Sequence, residues 1–263
     1  MDEGLLRCDV TAGVARLVMN RPAKLNALSD AMLAALKAEL TRIAAEPSIK
    51  VVILAGAGKA FCAGHDLSEM QAGRAADDGG AAYFADLFGR CADVMQMIPA
   101  LPQPVIAEVH GIATAAGCQL VASCDMAVAA QGTRFGVNGV NIGLFCSTPM
   151  VALSRNIPRK MAFELLTTGQ FIDAGRAMEL GLVNRVVPMQ ALEAETQTLA
   201  QMVAEKLSSA VRIGKQAFYR QAEMDLAEAY DYAGAVMVEN MLWRDTNEGI
   251  TAFLEKRKPD WAQ

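Results

Sequence analysis

Histidine is nearly absent from this sequence: only His65 and His110 occur. Neither has a second ligand at metal-binding spacing, which argues against a zinc or iron site. The six cysteines, at 8, 62, 91, 118, 124 and 146, form no Cys-x-x-Cys pair. Several lie in apolar or Ala/Gly-rich stretches, where free cysteine packs as a small hydrophobe, so reduced thiols are expected. No run of about 18 apolar residues is present, and no membrane span is expected. There is no long basic run and the net charge is −5, which speaks against nucleic acid as a partner. The opening "MDEGLLRCDV" is acidic and has no basic segment leading into an apolar one. No signal peptide is expected, and a cytoplasmic location is the corresponding expectation.

What is present is material for a core. Of 263 residues, 53% are apolar, enough for one large domain or for one domain with a helical appendage. "LLRCDVTAGVARLVMN" reads as two strands around a turn at Thr11–Gly13. "SDAMLAALKAELTRIAAEP" reads as a helix capped by Ser29 or Asp30. Met32, Leu33, Leu36, Leu40 and Ile43 fall on one face, and Pro47 is the stop. "KVVILAGAG" is a buried strand and "KAFCAGHDLSEM" the loop after it. "QAGRAADDGGAA", residues 71–82, reads as a Gly-rich loop. A helix follows over 82–98, closed by "PALPQP". "PVIAEVHG" and "DMAVAA" are strands, and "AAGCQLVASC" is a short helix between them. Helical patterns dominate from about 160, including one long run from Leu192 to about Leu226. No tandem repeat is readable. The order implies an α/β core with a helical tail.

Two strand ends, at Gly56–Gly58 and at Gly111, lead into small-residue loops. If the strands are neighbours, the loops meet at one sheet edge, a usual ligand position in α/β folds. Two backbone N–H groups aimed at one point make an oxyanion hole. The candidates are His65, in "CAGHD", and Ala116, at the start of the following helix, where free N–H groups carry partial positive charge. The alternative reading of these small residues is tight packing of helix on strand.

"NRPAKLNALS", "AFCAGHDLSEM", "GIATAAGCQLVASCD", "NIGL" and "TGQFIDAGRAMELGLVNRVVP" occur in this order, and the resemblance they carry runs from about residue 5 to residue 258. Together they resemble the crotonase superfamily, the enoyl-CoA hydratase/isomerase family. Within it, "GHDL", "TAAGCQLVASCD" and "VNIGLFCSTP" look closest to the enoyl-CoA hydratase domain-containing protein 3 group. The resemblance implies an α/β fold: a crotonase-like ββα spiral core over 1–200 with the acyl-CoA site, and a C-terminal helical trimerisation region over 201–263. It implies a CoA thioester as substrate or ligand with no separate cofactor, and a homotrimer or dimer of trimers. The thioester carbonyl would sit between the N–H groups of His65 and Ala116, where an enolate is stabilised. CoA contacts map to Lys24, Leu25 and Asn26 and to Ala63, His65, Asp66 and Leu67. In "FLEKRKP", Phe253 and Lys256 match an aromatic and a lysine that reach a neighbouring subunit's nucleotide.

The pattern departs from the family's hydratases at two positions. Their two glutamates correspond to Gln119 and Gly139. Hydration of a 2-enoyl thioester needs a base for the water and an acid for the α-carbon, each contributing on the order of 10²–10⁴ in rate. Gln is neutral and can only orient a water, and Gly has no side chain. Three functions stay open: a lyase or isomerase acting on an acyl-CoA enolate, a non-catalytic acyl-CoA binding or regulatory protein, and a hydratase using other residues. Groups available as replacements are His65, Asp66, Glu69, Cys118, Asn138, Asn141 and Cys146. Bland readings stand beside them: Asp66 as a cap for a helix from Leu67, Cys118 as core, Asp125 and Glu164 as structural residues. His110 is either packed or a supporting group.

Overall fold

The computed structural model describes residues 4–261. Leu6–Thr11 (β1) and Val14–Met19 (β2) pair antiparallel. The two residues between them, Ala12 and Gly13, both have positive φ, 50° and 79°. That is the combination a two-residue hairpin turn with the twist of its strands requires. Asp30–Ala44 (α1) is capped by Ser29, whose side chain accepts from Met32 N–H. Its buried residues are Met32, Leu33, Leu36, Leu40 and Ile43, the face expected from the spacing.

The remaining strands are Val51–Gly56 (β3), Val105–Val109 (β4), Ile112–Thr114 (β5), Met126–Ala130 (β6), Arg134–Gly136 (β7), Phe171–Asp173 (β8) and Arg185–Val187 (β9). The main sheet has the order β1-β2-β3-β4-β6-β9, parallel from β2 onward. A small second sheet has the order β5-β7-β8. A parallel sheet covered on both faces needs strands that are largely apolar; "VVILAG" is of that kind, and "VIAEV" is but for Glu108. Val51 and Ile53 face the helix Leu192–Ala204, in a cluster with Leu192, Leu199 and Ala200. Val52 and Leu54 face the opposite layer with Leu33, Val94 and Leu120. Glu108, inside β4, is neutralised by a two-pronged pair with Arg16 of β2, at 2.7 and 2.5 Å.

The helices after α1 are Leu67–Gly73 (α2), Ala81–Ala100 (α3), Ala116–Ser123 (α4), Pro149–Asn156 (α5), Arg159–Thr168 (α6), Ala174–Glu179 (α7), Leu192–Ala204 (α8), Ser208–Gln221 (α9), Leu226–Met241 (α10) and Arg244–Leu254 (α11). Three expectations are corrected. The stretch 71–82 is not one loop, since α2 runs through Gly73 and α3 starts at Ala81. α3 continues past Ile98 through Pro99 and ends one residue later, at Ala100. The long C-terminal run is broken at 205–207, where buried Leu207 pins the chain between α8 and α9. α9 is fastened to the core by Lys215, whose Nζ donates to Ile98 O, Gln103 O and Asp125 Oδ2. Among the described residues, no helix is long and apolar enough to cross a membrane.

β3 and β4 are neighbours. The loops that follow them therefore leave from one edge of the sheet.

Candidate active site

The loop after β3 runs alongside the chain after β4. Phe61 N–H donates to His110 O, Cys62 N–H to Ile112 O and Thr114 N–H to Cys62 O, at 3.0, 3.2 and 3.1 Å. This zipper brings Gly64 and His65 against Ala115 and Ala116. A Cβ placed on Gly64 would lie 3.1 Å from Ala115 Cβ and 3.5 Å from Ala116 N. One placed on Gly117 would lie only 2.2 Å from Cys62 O, so the first turn of α4 can approach the loop only with glycine there.

Ala115 is the sharp corner before α4. Its φ is 49° with ψ −119°, a region that an L-residue occupies at a cost of about 1–3 kcal/mol. Its N–H donates to Gly136 O at 2.9 Å, which ties the corner to β7. The corner lets α4 start at once, leaving the Ala116 N–H unused by the helix. Among the described residues, neither His65 N–H nor Ala116 N–H has a hydrogen-bond partner.

Both residues line a cavity of about 300 Å³, at the lower end of ligand-sized pockets. Its walls are mostly apolar, with Leu67, Met70, Phe88, Ile142, Leu144 and Phe145 contributing. Among the described residues that line it, only His65 and Cys146 have side chains that can titrate. Burial pushes the His65 imidazole below its ordinary value and the Cys146 thiol above its own. Both are thus neutral at neutral pH. His65 Nδ1 lies 3.3 Å from Leu28 O, its ring meets Phe88 edge-on with centroids 5.8 Å apart, and its Nε2 is buried without a partner. Among the described residues, no carboxylate lines the cavity.

Of the expected contact residues, Ala63, His65, Leu67, Ala116 and Gly139 are on the cavity wall. Gln119 is not. It lies one turn further along α4, 5% exposed, with Oε1 buried and unpartnered. Lys24 is exposed and Leu25 half-buried, and Leu25 O accepts from Ala63 N–H at 3.1 Å, which joins this segment to the loop.

Asn26 is a correction: it is fully buried, donates to Ala57 O and Ala60 O and accepts from Arg21 N–H. It shapes the turn and offers no surface to a ligand. Asp66 takes the capping role expected as its alternative. Its carboxylate caps α2 by accepting from Ser68 N–H at 3.0 Å, and the residue is 9% exposed. Phe253, in α11, and Lys256, beyond it, are exposed and are not on the cavity wall. Cys118 is core, its thiol pushed up to about 12 by burial. Asp125 is held by Val105 N–H, Lys215 and Tyr219. His110 is packed, with Nε2 2.8 Å from Gly58 O. Thr114, Phe88 and the segment 142–145 also form wall, which the sequence patterns did not indicate. The exposed apolar "IGLF" in a loop was the available signal for the last.

The Enoyl-CoA hydratase/isomerase family model matches residues 9–263. Enoyl-CoA hydratase domain-containing protein 3, mitochondrial, of Xenopus laevis is 46% identical over 249 residues, 95% of this chain and 83% of that one. The crystal structure of human enoyl Coenzyme A hydratase domain-containing protein 3 aligns with a TM-score of 0.93 at 45% identity, covering 98% of this chain and 100% of that one. That of an enoyl-CoA hydratase from Mycobacterium smegmatis aligns with a TM-score of 0.95 at 53% identity, covering 99% and 100%. The crotonase-like fold is thereby established. The expected cytoplasmic location is corrected: the Xenopus laevis protein and its counterparts from Mus musculus and Homo sapiens are named mitochondrial, and an acidic N-terminus carries no weight against that. With one fold and one family pattern over nearly the whole chain, the protein belongs to the enoyl-CoA hydratase/isomerase family.

Proposed function

We propose that the protein binds acyl-CoA thioesters with the carbonyl oxygen between the N–H groups of His65 and Ala116, and that ordinary enoyl-CoA hydration is not its reaction. One observation carries this reading: among the described residues, two unpartnered main-chain donors flank a cavity that no carboxylate lines. The donors suit a thioester oxygen, and more so the enolate oxygen of a lyase or isomerase step. The walls suit an apolar acyl chain. By the resemblance, CoA would be met by Lys24, Leu25 and the segment Ala63–Leu67, and the Ala63 N–H bond to Leu25 O, which joins the two segments, supports that reading. Several relatives are named as hydratases. The shortage of ionisable side chains on the wall instead favours, as a second reading, binding without turnover.

The test is calorimetry with a panel of acyl-CoAs, run beside a turnover screen. CoA thioesters are expected to bind and the matching free acids not to. Absence of heat with every thioester removes the reading. His65→Ala retains the main-chain donor and is expected to keep most of the affinity. Ala116→Pro deletes a donor and is expected to lower affinity about three- to tenfold, the range of one neutral hydrogen bond. Equal losses in folded variants would transfer the role to the imidazole.

The same reading includes a homotrimer or a dimer of trimers, in which Phe253 and Lys256 reach a neighbour's nucleotide. Its support is the outer face of the C-terminal helices: α10 has no buried residue, and Leu226, Tyr230, Met237, Leu242 and Phe253 are exposed. Large apolar side chains exposed on successive elements are what an interaction face presents. Light scattering at micromolar concentration is expected to give three or six chains, and a monomer would refute the shared site.

A further inference from the structure

β1 is one edge of the main sheet, and among the described residues no strand pairs with its outer side. The opposite edge, β9, has three residues, short enough to be a poor template for another strand. β1 has six. It keeps one unbroken register with β2, from Leu6↔Met19 to Thr11↔Val14, and contains neither proline nor a bulge, the devices that ordinarily blunt an edge. Asn20 N–H donates to Leu5 O at 2.8 Å, which sets the phase of the ladder. Odd-numbered residues turn their main-chain groups to β2, and Leu6, Cys8 and Val10 turn theirs outward. Among the described residues, these outward groups have no hydrogen-bond partner.

Side chains alternate between the two faces of the strand. Leu6, Cys8 and Val10 line a groove against Ala35 and Ala38 of α1, and Val10 is 47% exposed. Arg7 and Asp9 lie on the other face, both exposed. A second copy laid antiparallel on this edge, with Cys8 opposite its own counterpart, satisfies every outward group, because Leu6 of each copy meets Val10 of the other. In that register Arg7 of each copy stands opposite Asp9 of the other. A shift of two residues keeps the outward groups in phase but sets Arg7 against Arg7 in one direction and Asp9 against Asp9 in the other. Like charges directly opposite are destabilising, so the charges select the register centred on Cys8.

We infer that β1 is a self-association edge, through which two copies of this chain join their main sheets about a two-fold axis at Cys8. Such a contact is isologous and uses none of the C-terminal helices. With the trimer proposed above it gives six chains, and without that trimer it gives two.

Sedimentation velocity of the full chain at micromolar concentration reads the contact. The native protein is expected to run as two or six chains. Arg7→Asp puts like charges at both cross-strand positions and is expected to weaken the pairing at least about tenfold, moving the mass toward half. Asp9→Arg is expected to do the same. Arg7→Asp combined with Asp9→Arg restores opposite charges and is expected to restore the native mass, which damage to the fold of a single chain would not do. Cys8 gives a second reading in the native chain, whatever the folding of the variants. It is half-buried while the other five cysteines are buried, so a short bis-maleimide is expected to link chains in pairs, and Cys8→Ser to abolish the link. The inference is overturned by a native mass of one or three chains, by folded single variants that keep the native mass, or by an even mass without the Cys8 link. A mass of three removes this contact and leaves the C-terminal one standing, and a mass of two does the reverse.

Discussion

Crotonyl-CoA incubated with this protein is expected to hydrate at least about 10⁴-fold more slowly than the roughly 10 s⁻¹ of an ordinary enzyme. In the proposed reading the two general acid/base positions are held by Gln119 and Gly139, and each such group is worth on the order of 10²–10⁴ in rate. Gly139 is on the cavity wall without a side chain, and Gln119 is buried and neutral. The measurement is loss of the enoyl-thioester absorbance. A turnover near 10 s⁻¹ would show that other groups supply acid and base, and binding without turnover would then be excluded.

Restoring the glutamates is expected to be obstructed at one of the two positions. Gly139 does not have positive φ, so strain of the backbone is not the obstacle. A Cβ there would lie 2.4 Å from Leu144 O and 2.8 Å from Cys146 Sγ. Gly139→Glu therefore requires the loop to move, and removing the sulfur alone leaves the carbonyl contact. Gln119→Glu is nearly isosteric but buries a carboxylate without a cation, which raises its pKa. The double variant is expected to recover hydration only if its loop rearranges while the fold is retained. A folded double variant with hydration raised about 10²-fold or more would show that the loop yields.

Lys215→Met is expected to lower the unfolding free energy by about 3–5 kcal/mol, the loss typical when one partner of a buried ion pair is removed. Lys215 is 8% exposed and donates to two carbonyls and to Asp125, at 2.8, 2.9 and 2.7 Å. Burial pushes its pKa down, and Asp125 opposes that shift. Without the ammonium, Asp125 keeps only Val105 N–H and the Tyr219 hydroxyl, and its charge is uncompensated. Urea denaturation gives the change. A loss under about 1 kcal/mol would show that α9 is held by its apolar contacts instead. Asp125→Asn combined with Lys215→Met should cost less than the two single changes added together, because they act on one network.

The parts of the fold legible in the sequence are those with a clear period. The face of α1 follows from spacing alone, and β3 and β4 from apolar runs bounded by glycine or proline. β5, β7 and β8 have three residues each, too few for alternation to register. The break between α8 and α9 has no glycine or proline to mark it. It depends on Leu207 finding a place in the core, which is a tertiary fact. At the site, Gly64, His65, Ala115 and Ala116 were legible because small residues at two neighbouring strand ends let two backbones approach closely. Asn26 was not legible. A polar loop residue reads the same whether its amide meets a ligand or the chain's own carbonyls. The Thr114–Asn138 bond joins residues 24 apart, and no local pattern announces such a contact.

The zipper between the two loops and the left-handed corner at Ala115 separate the inheritance of binding from the inheritance of chemistry. Both candidate donors belong to the main chain, so no exchange of side chain short of proline erases them. They persist as long as Gly64 and Gly117 keep the loops in contact. Acids and bases, by contrast, are single side chains, and each can be lost in one mutational step. A lineage carrying this framework can therefore abandon one reaction while its grip on the thioester remains under selection, and a different catalytic group can later be fitted to a site that never stopped holding its ligand.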